Sequence, residues 1–153
     1  EDIDPCLGQG LSVVEDDPLR EVMHARQEDV RGFVPAHWSI VKDLGEVGFR
    51  FALEYLTDLD MDFDALKAAG IQYVKLDAEV FLKGLHAGNG VMLPATDVYR
   101  FLADKGLGLI VDHIASETQL IRIVDCGVLY GQGQLFGGAR PVKAQVFAAR
   151  PAA

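Results

Sequence analysis

Short apolar segments alternate along the chain with segments in which apolar residues recur every three or four positions. The short segments are rich in Val, Ile, Leu and Phe and cover residues 22–26, 49–53, 71–76, 107–111 and 128–130. Because these segments are apolar on both faces, they predict strands of a parallel sheet rather than half-exposed antiparallel strands. The sequence therefore predicts an α/β fold built from βα units, with about five strands and four or five helices.

The predicted helices carry their own start and stop signals. Pro35 is tolerated at a first helical position, where its missing N–H has no partner to lose, and Gly48 ends that helix. Its expected apolar stripe consists of Trp38, Val41, Leu44 and Val47. Ser116 and Gln119 form a capping box for the last helix, over residues 117–125, whose expected apolar stripe consists of Leu120, Ile123 and Val124. The other predicted helices cover residues 63–69, 79–85 and 95–105.

The length of the chain limits which α/β architecture this pattern can form. With 153 residues the chain is shorter than a complete eight-stranded βα barrel, which needs about 250 residues. The pattern therefore fits either a small open α/β sheet or the later part of a barrel. We expect residues 1–21 to be a lead-in segment and residues 22–153 to form the domain.

Composition excludes several classes of function. Half of the residues are hydrophobic, which is typical of a folded domain, and the net charge of −9 argues against binding to a nucleic-acid polymer. No apolar run approaches the roughly 20 residues of a membrane span. Cys6 and Cys126 lack any spacing motif and are expected to be free thiols of a reducing, cytoplasmic compartment. The first residue is Glu rather than Met, so we expect a piece of a longer protein.

Polar side chains follow three of the predicted strands. Lys75 and Asp77 lie near the end of one strand, Asp112 follows the next, and Gln132 follows the last. Because the carboxyl ends of parallel strands meet at one rim, a ligand site is expected there. Two simpler interpretations stay open: Lys75 pairs with Asp77, or Asp112 and the neighbouring His113 form a hydrogen-bonded loop pair.

An acidic loop invites a calcium hypothesis that the sequence does not support. Asp58, Asp60, Asp62 and Asp64 alternate, but an EF-hand loop starting at Asp58 needs glycine where Phe63 stands and glutamate where Ala69 stands. Asp62 is better explained as the cap of the helix that Gly70 ends. The histidines His24, His37 and His86 show no metal spacing and are expected to be structural or exposed.

Four stretches together resemble the EAL family of bacterial cyclic di-GMP phosphodiesterases, over roughly residues 22–142. The family motifs ALDDFG, LKID, VVAEGVET and QGYLF with a closing RP correspond to ALEYLT (52–57), VKLD (74–77), IVDHIASETQL (110–120) and QGQLFGGARP (132–141). The resemblance implies an EAL-type βα (TIM-like) barrel of which this chain holds only the later units. It also implies a reaction in which two carboxylate-bound cations activate a water.

The departures from these motifs concern the metal ligands. The two adjacent aspartates of the family fall at Glu54 and Tyr55, and the two acids of AEGVE fall at Asp112 and Ala115. A further metal-binding glutamate of the family would fall near His24 or Gln27, and the EAL tripeptide itself is absent. Two dications need several carboxylates to offset their charge, so these losses predict a catalytically inactive domain.

The resemblance implies a receptor for cyclic di-GMP rather than an enzyme. The residues expected to contact the ligand are Glu54, Lys75, Asp112, Gln132 and Arg140. No cofactor is expected, and Mg²⁺ or Mn²⁺ would matter only if activity remained. A single weakly bound metal at Glu54 and Asp112 stays open, as do a nucleotide-independent interaction scaffold and an active phosphodiesterase with unusual ligands.

The run FRFALEYLTDLDMDFDALKAAGIQYVKL resembles one subgroup, the degenerate TipF-like flagellar regulators of alphaproteobacteria. This resemblance implies the soluble domain of a membrane-anchored protein with a role in flagellum or cell-pole regulation. It also implies signalling or flagellar proteins as partners. Since part of a barrel would expose two sheet edges, homodimerisation is a further expectation.

Overall fold

A computed structural model describes residues 22–136 of the chain. The predicted lead-in segment, Cys6 and Arg140 lie outside these residues. The strands are β1 (Val22–Arg26), β2 (Arg50–Glu54), β3 (Asp58–Leu59), β4 (Ile71–Asp77), β5 (Leu85–Ala87), β6 (Met92–Leu93), β7 (Gly108–Asp112) and β8 (Tyr130–Gly131). The helices are α1 (Gln27–Arg31), α2 (Pro35–Glu46), α3 (Phe63–Ala69), α4 (Ala78–Lys83), α5 (Ala95–Asp104) and α6 (Glu117–Asp125), followed by a 3₁₀ turn at Gln134–Phe136.

Five of the strands form one parallel sheet in the order β1-β2-β4-β7-β8. Spatial order equals chain order, so each connection leads to the neighbouring strand, as in the wall of a βα barrel. The predicted α/β class is confirmed, and all five predicted strands are present with ends shifted by at most two residues. None of the helices in the part of the chain that the structure describes is long and apolar enough to cross a membrane.

The two faces of the sheet bury different sets of residues. The helix-covered face holds the larger core, which includes Leu53, Val74, Leu76, Phe81 and Val111. The opposite face holds a smaller cluster, formed by Val22, Ala52, Tyr73 and Ile110 with Tyr130 packed against it. Because side chains alternate along a strand, the residues two positions further on continue this second face. Those residues are His24, Glu54, Lys75, Asp112 and Gln132, so the alternation itself brings polar groups to one rim.

Several sequence predictions need correction. Val47 is exposed and lies beyond the end of α2, and Val124 on α6 is also exposed, so neither belongs to the apolar stripe of its helix. Strands β3, β5 and β6 were not predicted, and they form a small second sheet in which β5 pairs with both β3 and β6. Strands of two or three residues are too short to show alternation, so the sequence pattern does not predict this sheet.

Candidate functional site

Lys75 lies between two carboxylates at the carboxyl rim of the parallel sheet. Its Nζ is 3.7 Å from Oε1 of Glu54 and 3.7 Å from Oδ2 of Asp112. The three side chains are only 8%, 18% and 15% exposed, respectively. The order β2-β4-β7 explains the arrangement, because the lysine strand runs between the two carboxylate strands. The predicted convergence of these three residues is therefore present, with a formal charge of −1 for the trio.

His24 joins this group from β1. Its Nδ1 is 3.1 Å from Oε1 of Glu54, and its side chain is 13% exposed. The sequence predicts that His24 is structural or exposed, and this prediction misses its contact with Glu54 at the site. The available signal was its position on β1, two residues beyond Val22, together with the loose alignment that placed a metal ligand near it.

Asp77 and His113 form an outer layer of the same rim. Oδ1 of Asp77 caps α4 by accepting hydrogen bonds from the backbone N–H groups of Glu79 and Val80. Nδ1 of His113 lies 3.4 Å from Oδ2 of Asp77 and 3.3 Å from Oδ2 of Asp112. The predicted Asp112–His113 pair is thus present, and the imidazole is shared with a second carboxylate.

The backbone fixes Gln132 beside Asp112. The N–H of Gln132 donates to the carbonyl of Val111, and its own carbonyl accepts from the N–H of Ile114. Gly133 continues at φ 146°, and a Cβ there would lie 2.3 Å from backbone atoms of Ile114. Glycine is therefore required by a close backbone approach, which holds the buried Gln132 at the rim.

The two substituted family positions lie at the same rim. Tyr55 follows Glu54 and is 67% exposed, and Ala115 follows the β7 rim. The backbone N–H of Ala115 donates to Oε1 of Gln119, whose own N–H donates to Oγ of Ser116. This is the predicted capping box, with Gln119 reaching one residue further back than the usual pattern.

Helix α1 anchors the loop that carries Tyr55. The buried Gln27 donates to the carbonyl of Asp58 and accepts from the backbone N–H of Thr57. Arg31 forms an ion pair with Asp58. Burial alone would raise the pKa of Asp58, but hydrogen bonds from Asp60, Arg31 and Thr57 outweigh it, so the pKa lies below its usual value.

A cleft of about 320 Å³ opens over the rim. It is lined by Glu54, Lys75, Asp77, Asp112 and His113, together with Tyr55, Leu56, Thr57 and Val80. Its volume lies at the lower end of the range of about 300–1,000 Å³ typical of small-molecule pockets. A second groove of about 720 Å³ also borders Tyr55 and Thr57, and Arg26 at the end of β1 and Arg31 of α1 contribute to its lining.

The rim does not fit the pair of cations that the family resemblance implies. Among residues 22–136, no three His, Cys, Asp or Glu side chains are placed to hold one metal ion. The two carboxylates that converge are both within ion-pair distance of the Lys75 ammonium, which already offsets part of their charge. A dication between them would be repelled by that ammonium, so these residues do not fit a metal ion.

Comparisons with known proteins agree with the geometry. A model of the EAL domain family matches residues 19–141, while no curated protein matches the sequence. The solved PaMucR phosphodiesterase in complex with c-di-GMP is 16% identical, with a TM-score of 0.61, and the match covers 81% of this chain and 50% of that chain.

Two further structures extend the comparison. The EAL domain of Mycobacterium smegmatis DcpA is 18% identical, with a TM-score of 0.61 over 90% of this chain and 62% of that one. The Bacillus subtilis YkuI protein, with an EAL domain, in complex with c-di-GMP and calcium, is 12% identical, with a TM-score of 0.56 over 84% and 33% of the two chains.

At these identities the structural likeness establishes the fold: an α/β domain with the parallel sheet of EAL-type TIM-like barrels. The chain spans 33–62% of the length of these solved chains, and thus corresponds to part of each. The family match, in contrast, extends over most of the 153 residues. This chain therefore belongs to the EAL domain family.

Proposed function

We propose that this chain is a catalytically inactive EAL module that binds cyclic di-GMP and passes the signal to partner proteins. The observation that carries the proposal is the Glu54–Lys75–Asp112 trio. The trio keeps charged side chains at the rim. Both of its carboxylates pair with the Lys75 ammonium and are therefore less suited to binding cations. Tyr55 and Ala115, at the other two acidic positions of the family motifs, offer no carboxylate.

Binding without metal is the chemistry that such a rim supports. A cyclic dinucleotide presents base N–H groups and hydroxyls to carboxylates, and base faces to planar side chains. Glu54, Asp112 and Asp77 supply acceptors, Lys75 and Gln132 supply donors, and Arg140, outside the described residues, is a predicted further donor. A role in flagellum or cell-pole regulation, with a membrane anchor elsewhere in the protein, is the cellular setting we infer from the subgroup resemblance.

Calorimetry and product analysis test this proposal together. Cyclic di-GMP titrated into the protein in EDTA should release or absorb heat with saturation, and prolonged incubation with Mg²⁺ or Mn²⁺ should leave the dinucleotide intact. Linear dinucleotide that appears with metal and disappears in Glu54→Ala would show an active phosphodiesterase instead.

A nucleotide-independent scaffold is the second candidate, and one observation favours it. An apolar groove of about 230 Å³ runs beside β1, the edge strand of the described sheet, between Met23, Phe33, Ile40 and Phe51. Exposed apolar side chains beside an unpaired strand edge are typical of a protein contact. A null titration combined with stable self-association or partner capture through this groove would favour the scaffold.

A further inference from the structure

Two ring side chains flank the cleft at equivalent places in their loops. Tyr55 follows Glu54 of β2, and His113 follows Asp112 of β7. Within residues 22–136 they are the only non-glycine residues with positive φ, at 57° and 59°. Left-handed backbone is uncommon for residues other than glycine, although histidine adopts it more often than tyrosine does, and it persists where the surrounding structure imposes it, often at ligand clamps.

The surrounding structure imposes this conformation in the same way on both sides. In the sequence, each of the two residues follows a rim carboxylate and precedes a buried aliphatic residue, which is Leu56 after Tyr55 and Ile114 after His113. Hydrogen bonds hold the following backbone in place, from Thr57 N–H to Gln27 and from Ile114 N–H to Gln132. With both neighbours fixed, the left-handed residue directs its ring outward, where Tyr55 is 67% and His113 68% exposed.

The spacing of the two loops suits one planar ring between them. Strands β2 and β7 lie on either side of β4, and neighbouring strands are about 4.8 Å apart, so the two loops start about 10 Å apart. Stacked aromatic rings have centroids about 4.5–7 Å apart, so a ring held between two others needs outer rings at least about 9 Å apart. Both side chains line the same cleft, whose remaining wall includes the apolar Leu56 and Val80.

The charges of the cleft favour a planar group whose edge carries hydrogen-bond donors. Glu54, Asp77 and Asp112 supply three carboxylates against the single ammonium of Lys75. A phosphodiester placed there would meet net negative charge, whereas N–H donors would meet acceptors with spare lone pairs. A base whose edge carries adjacent N–H groups, as guanine does, matches this cleft better than a phosphate does.

We propose that Tyr55 and His113 form a ring clamp that holds one guanine base of the dinucleotide, with its N–H edge directed to the carboxylates of the cleft. This inference rests on the proposed function, since it assigns the part of cyclic di-GMP that enters the cleft. It assigns the phosphates to positions outside the carboxylate trio. It also gives Tyr55, which replaced a family carboxylate, a role in recognition.

Glycine substitutions test the clamp without loss of the fold, because glycine adopts positive φ without strain. Tyr55→Gly and His113→Gly should each weaken cyclic di-GMP binding about tenfold or more, as expected for loss of a base-stacking partner. Their melting temperatures should stay equal to or above that of the wild type. Tyr55→Phe should retain binding, and His86→Ala, which removes an exposed ring outside the cleft, should change nothing.

A measurement on the wild type complements the variants. The chain has four histidines, His24, His37, His86 and His113. On addition of cyclic di-GMP, stacking should shift the ring protons of His113 upfield in proton NMR, with no upfield shift for His37 and His86.

The outcomes separate the clamp from the proposed function. Tight binding by the wild type with unchanged affinity in both glycine variants, and no upfield shift at His113, would overturn the clamp while the receptor proposal stands. Absence of cyclic di-GMP binding to the natural full-length protein would overturn both. Tenfold weaker binding in the glycine variants, with the His113 shift, supports both.

Discussion

At the scale of single residues, the site depends on how one ammonium is shared. Lys75 is almost fully buried and lies 3.7 Å from a carboxylate on each neighbouring strand. Removing one partner of a buried ion pair costs more than the pair contributes, because the remaining charges lose their compensation. The trio is thus a constraint on stability as well as the proposed binding surface.

Lys75→Met should destabilise the protein by about 2–4 kcal/mol at pH 7, because Glu54 and Asp112 then face each other across an apolar side chain. Urea denaturation measures the loss. Lys105→Met is the matched control, since Lys105 pairs with the exposed Asp64 and should cost under about 1 kcal/mol. Equal losses for the two variants would contradict the shared-ammonium account.

Asp58 gives a pH-dependent prediction of its own. Because the folded-state pKa of Asp58 is lowered, its carboxylate contributes stability above the unfolded-state pKa of about 4 and loses it as the pH falls through the lower folded-state value. Asp58→Asn should therefore lower the melting temperature at pH 7 but hardly at pH 2. The expected loss at pH 7 is about 0.5–1 kcal/mol, since the pair with Arg31 is partly exposed. Asp104→Asn, at an exposed position, should show no such difference between the two pH values.

At the scale of elements, the helices and strands that could be predicted are those whose buried residues form a recognisable pattern in the sequence. Strands β2, β4 and β7 could be predicted because each is a run of residues buried on both faces, whereas the edge strands β1 and β8 are only partly buried and were predicted from their apolar residues alone. Asp62 and Gly70 were correctly placed at the ends of α3, because a side-chain cap and a left-handed glycine are local signals. Helix α1 and the small second sheet were missed, since elements of two to five residues depend on tertiary contacts such as those of Gln27.

The same distinction applies to the site. Lys75, Asp112 and Gln132 could be placed at one rim from strand ends alone, and the structure brings Lys75 and Asp112 together. The contact of His24 with Glu54 was missed, because it depends on β1 pairing with β2 and the motif alignment near His24 is loose. The left-handed backbone at Tyr55 and His113 also could not be predicted, since tyrosine rarely adopts it and histidine, although enriched there, adopts it in a small share of cases. Arg140 stays a prediction.

The connection after β8 provides a test at this scale. Gly133→Ala should destabilise the protein by about 3 kcal/mol or more, because φ 146° and a Cβ within 2.3 Å of the Ile114 backbone are both unacceptable. Gly90→Ala is the matched control: its φ is also positive, at 82°, but nothing lies within 4 Å of the added Cβ. It should cost only about 1 kcal/mol. Thermal melts of both variants decide the matter, and similar losses would show that close backbone approach does not fix Gln132.

At the scale of the whole molecule, the parallel sheet resembles part of a barrel wall. The charged side chains at its carboxyl rim differ from those that a pair of cations would need. In the described part of the chain, β1 and β8 form the edges of the five-stranded sheet, and the apolar groove beside β1 lies at one of them. The chain covers 33–62% of the solved EAL chains compared above. Homodimerisation through an edge stays a prediction.

The central claim is that the rim recognises cyclic di-GMP without metal ions and does not cleave it. Crystals of the natural protein grown with cyclic di-GMP and Mn²⁺, and measured at the manganese absorption edge, test it most directly. The account predicts an intact dinucleotide with one base between Tyr55 and His113, and no anomalous peak between Glu54 and Asp112. An anomalous peak coordinated by Glu54 and Asp112, with Lys75 displaced or a linear dinucleotide bound, would contradict it.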